Sequence, residues 1–181
     1  NYYNKFNPAY PFLWIDALYQ KVRVEGRVVS VAVMIACGVN ASGAREILVV
    51  EPFYDESEDS WRVFFRKIKA RGMKRTALCI SDAHARIQAA VRKEWLCASW
   101  QCCKVYFMRN ILAKVPHGEK GRFAAHLKQI WLEPGKKGAR LAASALVEEY
   151  GKRCPRRSAA WKTGSKIRSR STTSPRSIRS G

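Results

Sequence analysis

Two aspartates, Asp16 and Asp82, each end or interrupt an apolar run that reads as a buried strand. Asp16 lies within Phe12-Leu13-Trp14-Ile15-Asp16-Ala17-Leu18-Tyr19, and Asp82 follows Ala77-Leu78-Cys79-Ile80-Ser81. A lone buried carboxylate is costly unless something pairs with it. Two carboxylates brought together repel, and a divalent cation is the usual remedy. That arrangement is how metal-dependent phosphodiester chemistry is built. The plainer reading is that each Asp caps a strand or the helix that follows it.

The elements around these residues decide whether the two can meet. Asn1 to Pro11 reads as an irregular lead-in, followed by the first strand and a turn at Glu25-Gly26. Val28 to Val39 is rich in Val and Ile and is bounded by Asn40-Ala41-Ser42-Gly43, which favours strand over helix. A third strand spans Ile47 to Val50, so three strands with short connections predict an antiparallel meander. Asp55 with Glu58 resembles a capping box, and Trp61, Phe64, Phe65 and Ile68 then mark one helical face that ends near Gly72. A fourth strand over Thr76–Ile80 leads to Asp82, and a helix follows from about Ala83 to Trp95. Ser99 to Tyr106 reads as a fifth strand, and a helix from Phe107 stops before Pro116. Two further helices are expected near Arg122–Trp131 and Lys137–Lys152, separated by Pro134-Gly135.

The order βββ-α-β-α-β-α predicts an α/β fold, a mixed sheet with helices packed on it. With the first and fourth strands side by side, Asp16 and Asp82 point into one cleft. This is the ribonuclease-H-like arrangement, here followed by a C-terminal helical segment. The chain accordingly divides into a ribonuclease-H-like core over 1–115, a helical insertion segment over 116–153 and a basic disordered tail over 154–181.

At 181 residues and 47% apolar content, the chain is long and apolar enough for one globular domain with a small appendage. Its formal net charge of +20 attracts polyanions, nucleic acid before anionic membrane. No apolar run reaches transmembrane length, so no membrane partner is expected. The chain starts at Asn1 rather than Met and shows no signal peptide, as a piece of a longer protein would. Cys37 and Cys79 sit in apolar strands and read as core residues. The six cysteines include no CxxC pair, so a structural zinc site is not expected and a reducing, cytosolic setting fits.

With these elements placed, Tyr10-Pro-Phe-Leu-Trp-Ile-Asp16-Ala resembles the first catalytic block of the bacterial Mutator-type insertion-sequence transposases. Gly26-Arg-Val-Val-Ser30, Gly38-Val-Asn40, Ile80-Ser-Asp82-Ala-His84, Trp100-Gln101 with Cys103, and Tyr106-Phe-Met-Arg-Asn110 continue the likeness in order. It runs from about Tyr10 to Arg153. The resemblance implies a DDE transposase that cuts transposon ends and joins the freed 3′ hydroxyls to target DNA. By that resemblance Asp16 and Asp82 are the first two acids of the triad and metal ligands. Together they would hold two Mg²⁺ or Mn²⁺ ions about 3.5–4 Å apart. It also implies transposon terminal inverted repeats and target DNA as partners, a homo-oligomer when full length, and the bacterial cytoplasm.

The chain departs from the family pattern at three places. The family carries a Cys-x-x-His signature after the second Asp; here Cys103 is present, Tyr106 stands at the His position, and Cys102 replaces a residue that is usually basic. Tyrosine cannot supply imidazole's neutral-pH proton chemistry. The third acid, a Glu within a basic helix, has no match, and Glu133, Glu148 and Glu149 do not fit the motif. From Cys154 onward the chain has no Asp or Glu and is rich in Ser and Arg. A shifted reading frame near Cys154 is the favoured explanation, which would leave an incomplete or inactive piece. The alternative is a true basic tail that binds DNA phosphates.

His84 reads either as a contact to DNA or to the metal's outer shell, or as a plain helix-surface residue. Arg109 and Asn110, at the start of a helix, read as phosphate contacts or as salt-bridge partners. The Lys136-Lys137 and Arg66–Arg75 clusters read as DNA-tracking or merely solvated charge. Two competing functions stay open at this point. One is a non-catalytic basic DNA-binding fragment. The other is a ribonuclease-H-like nuclease completed by Glu148 or Glu149.

Overall fold

The computed structural model describes Phe6 and residues 10–153. The tail from Cys154, on which the frame-shift expectation rests, lies outside the described residues. The chain forms two compact units that divide between Cys103 and Lys104.

The first unit is built on a five-stranded mixed sheet in the order β3-β2-β1-β4-β5. Strands β1 (Phe12–Val24), β2 (Arg27–Val39) and β3 (Arg45–Phe53) form the antiparallel meander. The β1–β2 turn holds Glu25 at φ 48° and Gly26 at φ 79°. Two consecutive positive φ values match the right-handed twist of the flanking strands, which is why a glycine stands there. Strand β4 (Leu78–Ser81) then pairs in parallel with β1, and β5 (Ser99–Cys102) pairs in parallel with β4. The first and fourth strands are therefore adjacent, as the element order predicts.

Helices α1 (Glu58–Ala70) and α2 (Ala85–Glu94) cover one face of this sheet. The predicted stripe of Trp61, Phe64, Phe65 and Ile68 is fully buried against Leu13, Ile15, Met34 and Ala36. Trp61 and Phe64 meet edge to face at 5.7 Å, and Phe65 meets Trp95 at 6.4 Å. Each such ring contributes about 1.5–3 kcal/mol on burial. The two helices are also clamped by charge. Glu94, whose side chain is 8% exposed, accepts from Arg62 at 3.3 Å, Arg66 at 3.0 Å and Lys69 at 3.0 Å. Most of the basic cluster around α1 is thus structurally engaged: Lys67 pairs with Glu51, and the Arg71 guanidinium donates to the Leu48 carbonyl.

Three expectations need correction. The cap of α1 is Ser57, whose hydroxyl accepts the Ser60 N–H; Asp55 instead accepts from the Ser57 N–H and the Ser60 hydroxyl. Strand β5 ends at Cys102, so Tyr106 is helical, because Lys104–Leu112 forms α3. Arg109 and Asn110 consequently lie in the second half of that helix rather than at its start.

The second unit contains α3, a short 3₁₀ turn at His117–Glu119, α4 (Lys120–Leu132) and α5 (Lys136–Arg153). Its own core gathers Val115, Phe123, Leu127, Ile130, Leu146 and Tyr150. Phe123 and Tyr150 meet edge to face at 4.6 Å.

Two stability outcomes follow. A Cβ at Gly38 would lie 2.5 Å from Tyr10 Cδ1, and the Tyr10 ring is buried and tied to Glu46 by a 2.7 Å hydrogen bond. Gly38→Ala should therefore lose about 1–3 kcal/mol, read by denaturant unfolding. Burial raises the Glu94 carboxyl, but the Lys69, Arg62 and Arg66 contacts outweigh it and hold it below the usual Glu range. A depressed folded value stabilises above the unfolded value and is lost as pH falls through the folded one. Glu94→Gln should cost about 1–3 kcal/mol at pH 7 and should remove part of the parent's loss of stability on acidification.

Candidate active site

The β1–β4 ladder pairs Phe12 with Leu78, Leu13 with Cys79 and Trp14 with Ile80. Asp16 follows two residues later within β1, and Asp82 two residues later, just past the end of β4. Side chains two apart share a face, so Asp16 stands on the sheet face opposite Leu13 and Ile15, with Asp82 at the end of the adjacent strand. Both are half-buried.

Local backbone fixes each carboxylate. Asp16 Oδ1 accepts the Ala17 N–H at 2.9 Å. Asp82 Oδ1 accepts the His84 N–H at 3.1 Å, a turn that leads directly into α2. The position also places the Asp82 charge at the positive end of that helix. The buried Ser81 holds this strand end. Its hydroxyl donates to the Asp82 carbonyl at 2.8 Å and accepts the Trp100 indole N–H at 2.9 Å. The Cys103 N–H donates to the Ser81 carbonyl at 2.6 Å. Trp100 and Cys103 therefore buttress the Asp82 turn from β5.

A third carboxylate lies within electrostatic reach of the pair, and sequence reasoning missed it. Glu56 lies in the connection between β3 and α1, half-buried. Burial pushes its carboxyl above the usual Glu range, and the Asp82 charge and that of Asp16 push the same way. His84 and a hydrogen bond donated by the Tyr19 hydroxyl act against them. Tyr19 is raised in turn, by burial and then by Glu56 and Asp55. The one signal in the sequence was position: Glu56 directly precedes the cap residue of the helix that follows the meander. Nearby, the Cys102 thiol is pushed up to about 11 by burial, with Cys103 and Asp82 adding to it.

The donor chemistry suits a hard divalent cation. Carboxylate oxygens are the ligands Mg²⁺ accepts, and it commonly takes one or two from protein while keeping waters. Among the described residues, however, no group of three His, Cys, Asp or Glu side chains stands ready to enclose an ion. The first unit thus offers a two-aspartate site with a neighbouring Glu.

The other predicted residues fall as follows. His84 is exposed and precedes α2 without a side-chain capping bond. Tyr106, Arg109 and Asn110 belong to the second unit. There the Arg109 guanidinium lies 5.2 Å from the Tyr106 ring centre, and Arg109 and Asn110 are exposed. Glu148 and Glu149 are engaged within that unit. Glu148 pairs with Lys152 at 2.9 Å, and Glu149 with Arg122 at 3.3 Å and His126 at 3.5 Å.

Residues 4–178 match the family model described as Transposase, Mutator family. The chain is 40% identical over 141 residues to the transposase for insertion sequence element IS256 in transposon Tn4001 of Staphylococcus aureus, covering 78% of this chain and 36% of that protein. It is 46% identical over 107 residues to the transposase for insertion sequence element IS1081 of Mycobacterium tuberculosis, covering 59% of this chain and 26% of that protein. The chain thus spans about a third or less of the length of these curated relatives. Among solved structures, the catalytic core domain of HTLV-2 integrase in complex with magnesium aligns with a TM-score of 0.30 at 12% identity. That alignment covers 71% of this chain and 80% of that one.

The arrangement of carboxylates has a measurable signature. A folded acid raised above its unfolded value binds its proton more tightly when folded, so stability falls as pH rises between the two values. Glu56→Gln should therefore be more stable than the parent at pH 7 and equal to it well below pH 4. Asp82→Asn should lower the Glu56 carboxyl toward its ordinary value, seen in carboxyl-carbon NMR titration. An unchanged Glu56 titration in Asp82→Asn would show that the two do not face each other.

Proposed function

The chain belongs to the Mutator family of transposases, and on that premise we propose that Asp16 and Asp82 form the first half of a DDE active site. In this reading the sheet is a ribonuclease-H-like core, and the chemistry is metal-dependent cleavage and strand transfer at transposon ends. What supports it is the parallel pairing of β1 with β4 at the centre of a β3-β2-β1-β4-β5 sheet, with Asp16 two residues past that ladder in β1 and Asp82 two residues past it, just after β4.

Each residue then has a defined task. Asp16 and Asp82 would hold the divalent ions, Mg²⁺ or Mn²⁺ and two in number. When bound, these ions supply Lewis-acid activation of the attacking hydroxyl and charge stabilisation of the leaving oxygen. The His84 N–H and the Ala17 N–H orient the two carboxylates. Ser81, Trp100 and Cys103 keep the Asp82 turn from shifting when a charged ligand arrives. Glu56 adds negative charge at the same edge and so strengthens the preference for a cation over bulk water. The net charge of +20 draws the DNA substrate, first by counterion release at the phosphates.

The third acid of the family pattern is not assigned to any described residue. Tyr106 stands where the family signature has histidine, and residues 116–153 are read as the helical insertion that precedes the missing acid. DNA ends and target DNA are the proposed partners, with a homo-oligomer as the working assembly and the bacterial cytoplasm as its place. No helix among the described residues is long and apolar enough to cross a membrane.

Binding of Mn²⁺ to the chain, followed by calorimetry, is the direct test. Asp16→Asn and Asp82→Asn should each weaken it at least about tenfold. Where the chain cleaves a nicked end substrate, each change should lower the rate by roughly 100-fold or more. Duplex binding in EDTA should survive both substitutions. Equal Mn²⁺ affinity in the parent and both variants would rule out this site.

A further inference from the structure

The hairpin of β1 and β2 is longer than the sheet that holds it. Strand β4 pairs with β1 only at Phe12–Trp14, and β3 pairs with β2 only from Ala32 to Val39. From Gln20 to Val31 only the two strands remain, paired to their turn at Val24 and Arg27. All of β1 from Leu18 to Val24 is exposed. The turn at Glu25-Gly26, with both residues at positive φ, keeps this projecting ribbon twisted and closed.

The ribbon has a polar face. Tyr19, Lys21 and Arg23 alternate onto one side of β1, opposite Ala32, Ser30 and Val28 of β2. Lys21 and Arg23 are exposed, and no ion pair among the described residues involves either of them. The contrast with α1 is sharp. There Arg62, Arg66 and Lys69 are bound to Glu94, and Lys67 is bound to Glu51.

Direction matters as well. Strands β1 and β4 run parallel, so the ribbon leaves the sheet from the same ends that carry Asp16 and Asp82. Lys21 lies five residues beyond Asp16 on one strand, about 17 Å away at the usual strand rise, and the odd offset puts it on the side of Tyr19, opposite to that of Asp16. That span is about five base pairs of duplex.

We propose that this ribbon is a DNA-backbone contact, with Lys21 and Arg23 gripping phosphates of a duplex that passes the strand ends carrying Asp16 and Asp82. The inference rests on the reading of that site as one that acts on DNA and adds where the duplex is held. A two-stranded ribbon is narrow enough to lie against or within the major groove. The contact is independent of sequence, because it is made to phosphates.

The test is duplex binding in EDTA across a range of salt, so that no cleavage intervenes. Lys21→Ala/Arg23→Ala should bind at least about tenfold more weakly at 50 mM salt, with a log–log salt slope shallower by about two. The control is Lys74→Ala/Arg75→Ala, which removes the same charge just before β4, at the opposite end of the parallel strands. It should keep the parent's slope. Thermal melting of both variants should match the parent, since all four side chains are exposed. A parental slope in the ribbon variant overturns the proposal, and so does an equal loss in the control. Lost self-association in sedimentation, with DNA binding intact, also overturns it and makes the ribbon a protein interface. Failure of the metal site itself would show separately, as Mn²⁺ binding indifferent to Asp16 and Asp82.

Discussion

Three residue pairs between β1 and β4 set the geometry on which the candidate site depends. Phe12, Leu13 and Trp14 lie beside Leu78, Cys79 and Ile80 in parallel, and this brings together the strand ends that carry Asp16 and Asp82, although the residues are far apart in sequence. A slip of one residue in either strand would turn its aspartate toward the helix-covered core. What prevents the slip is the opposite face. Leu13 and Cys79 are fully buried beneath α1 and α2, so register and core packing are the same constraint seen from two sides. The Cys79 thiol, pushed up to about 12 by burial, behaves there as a small apolar side chain.

The helices supply that constraint in layers. The aromatic stripe of α1 provides most of the apolar burial, and the Glu94 cluster ties α1 to the end of α2. Because α2 begins just after the Asp82 turn, whatever fixes α2 also fixes Asp82. The Trp100–Ser81 bond fixes the same turn from the neighbouring strand. The site is thus held by elements on both sides of it. This is what a pair of like charges requires if it is to stay in place.

Much of this was legible in the sequence, for physical reasons. Strand and helix periodicities expose the meander and the Trp61–Ile68 stripe because burial selects one face of each. The adjacency of the first and fourth strands follows from element order, since helical connections favour a parallel neighbour. Boundaries were less legible. Val105-Tyr106-Phe107 is as apolar as a strand, and only the tertiary setting makes it the first turns of α3. The capping residue was misplaced by two because Asp55, Ser57 and Ser60 are chemically interchangeable as caps. Glu56 was legible only by its position before the α1 cap, because its meaning lies in the charges around it rather than in its own neighbours in the chain. The second unit's Tyr106, in place of the family's histidine, was visible from sequence and keeps its local ring contact with Arg109.

The measurement that bears most directly on this account is anomalous diffraction at the manganese edge from crystals of the chain grown or soaked with Mn²⁺. The account predicts a peak bonded to carboxylate oxygens of both Asp16 and Asp82, and its disappearance in Asp82→Asn. Manganese bound elsewhere with no density between these two carboxylates, or a peak indifferent to the Asp82 substitution, would contradict it.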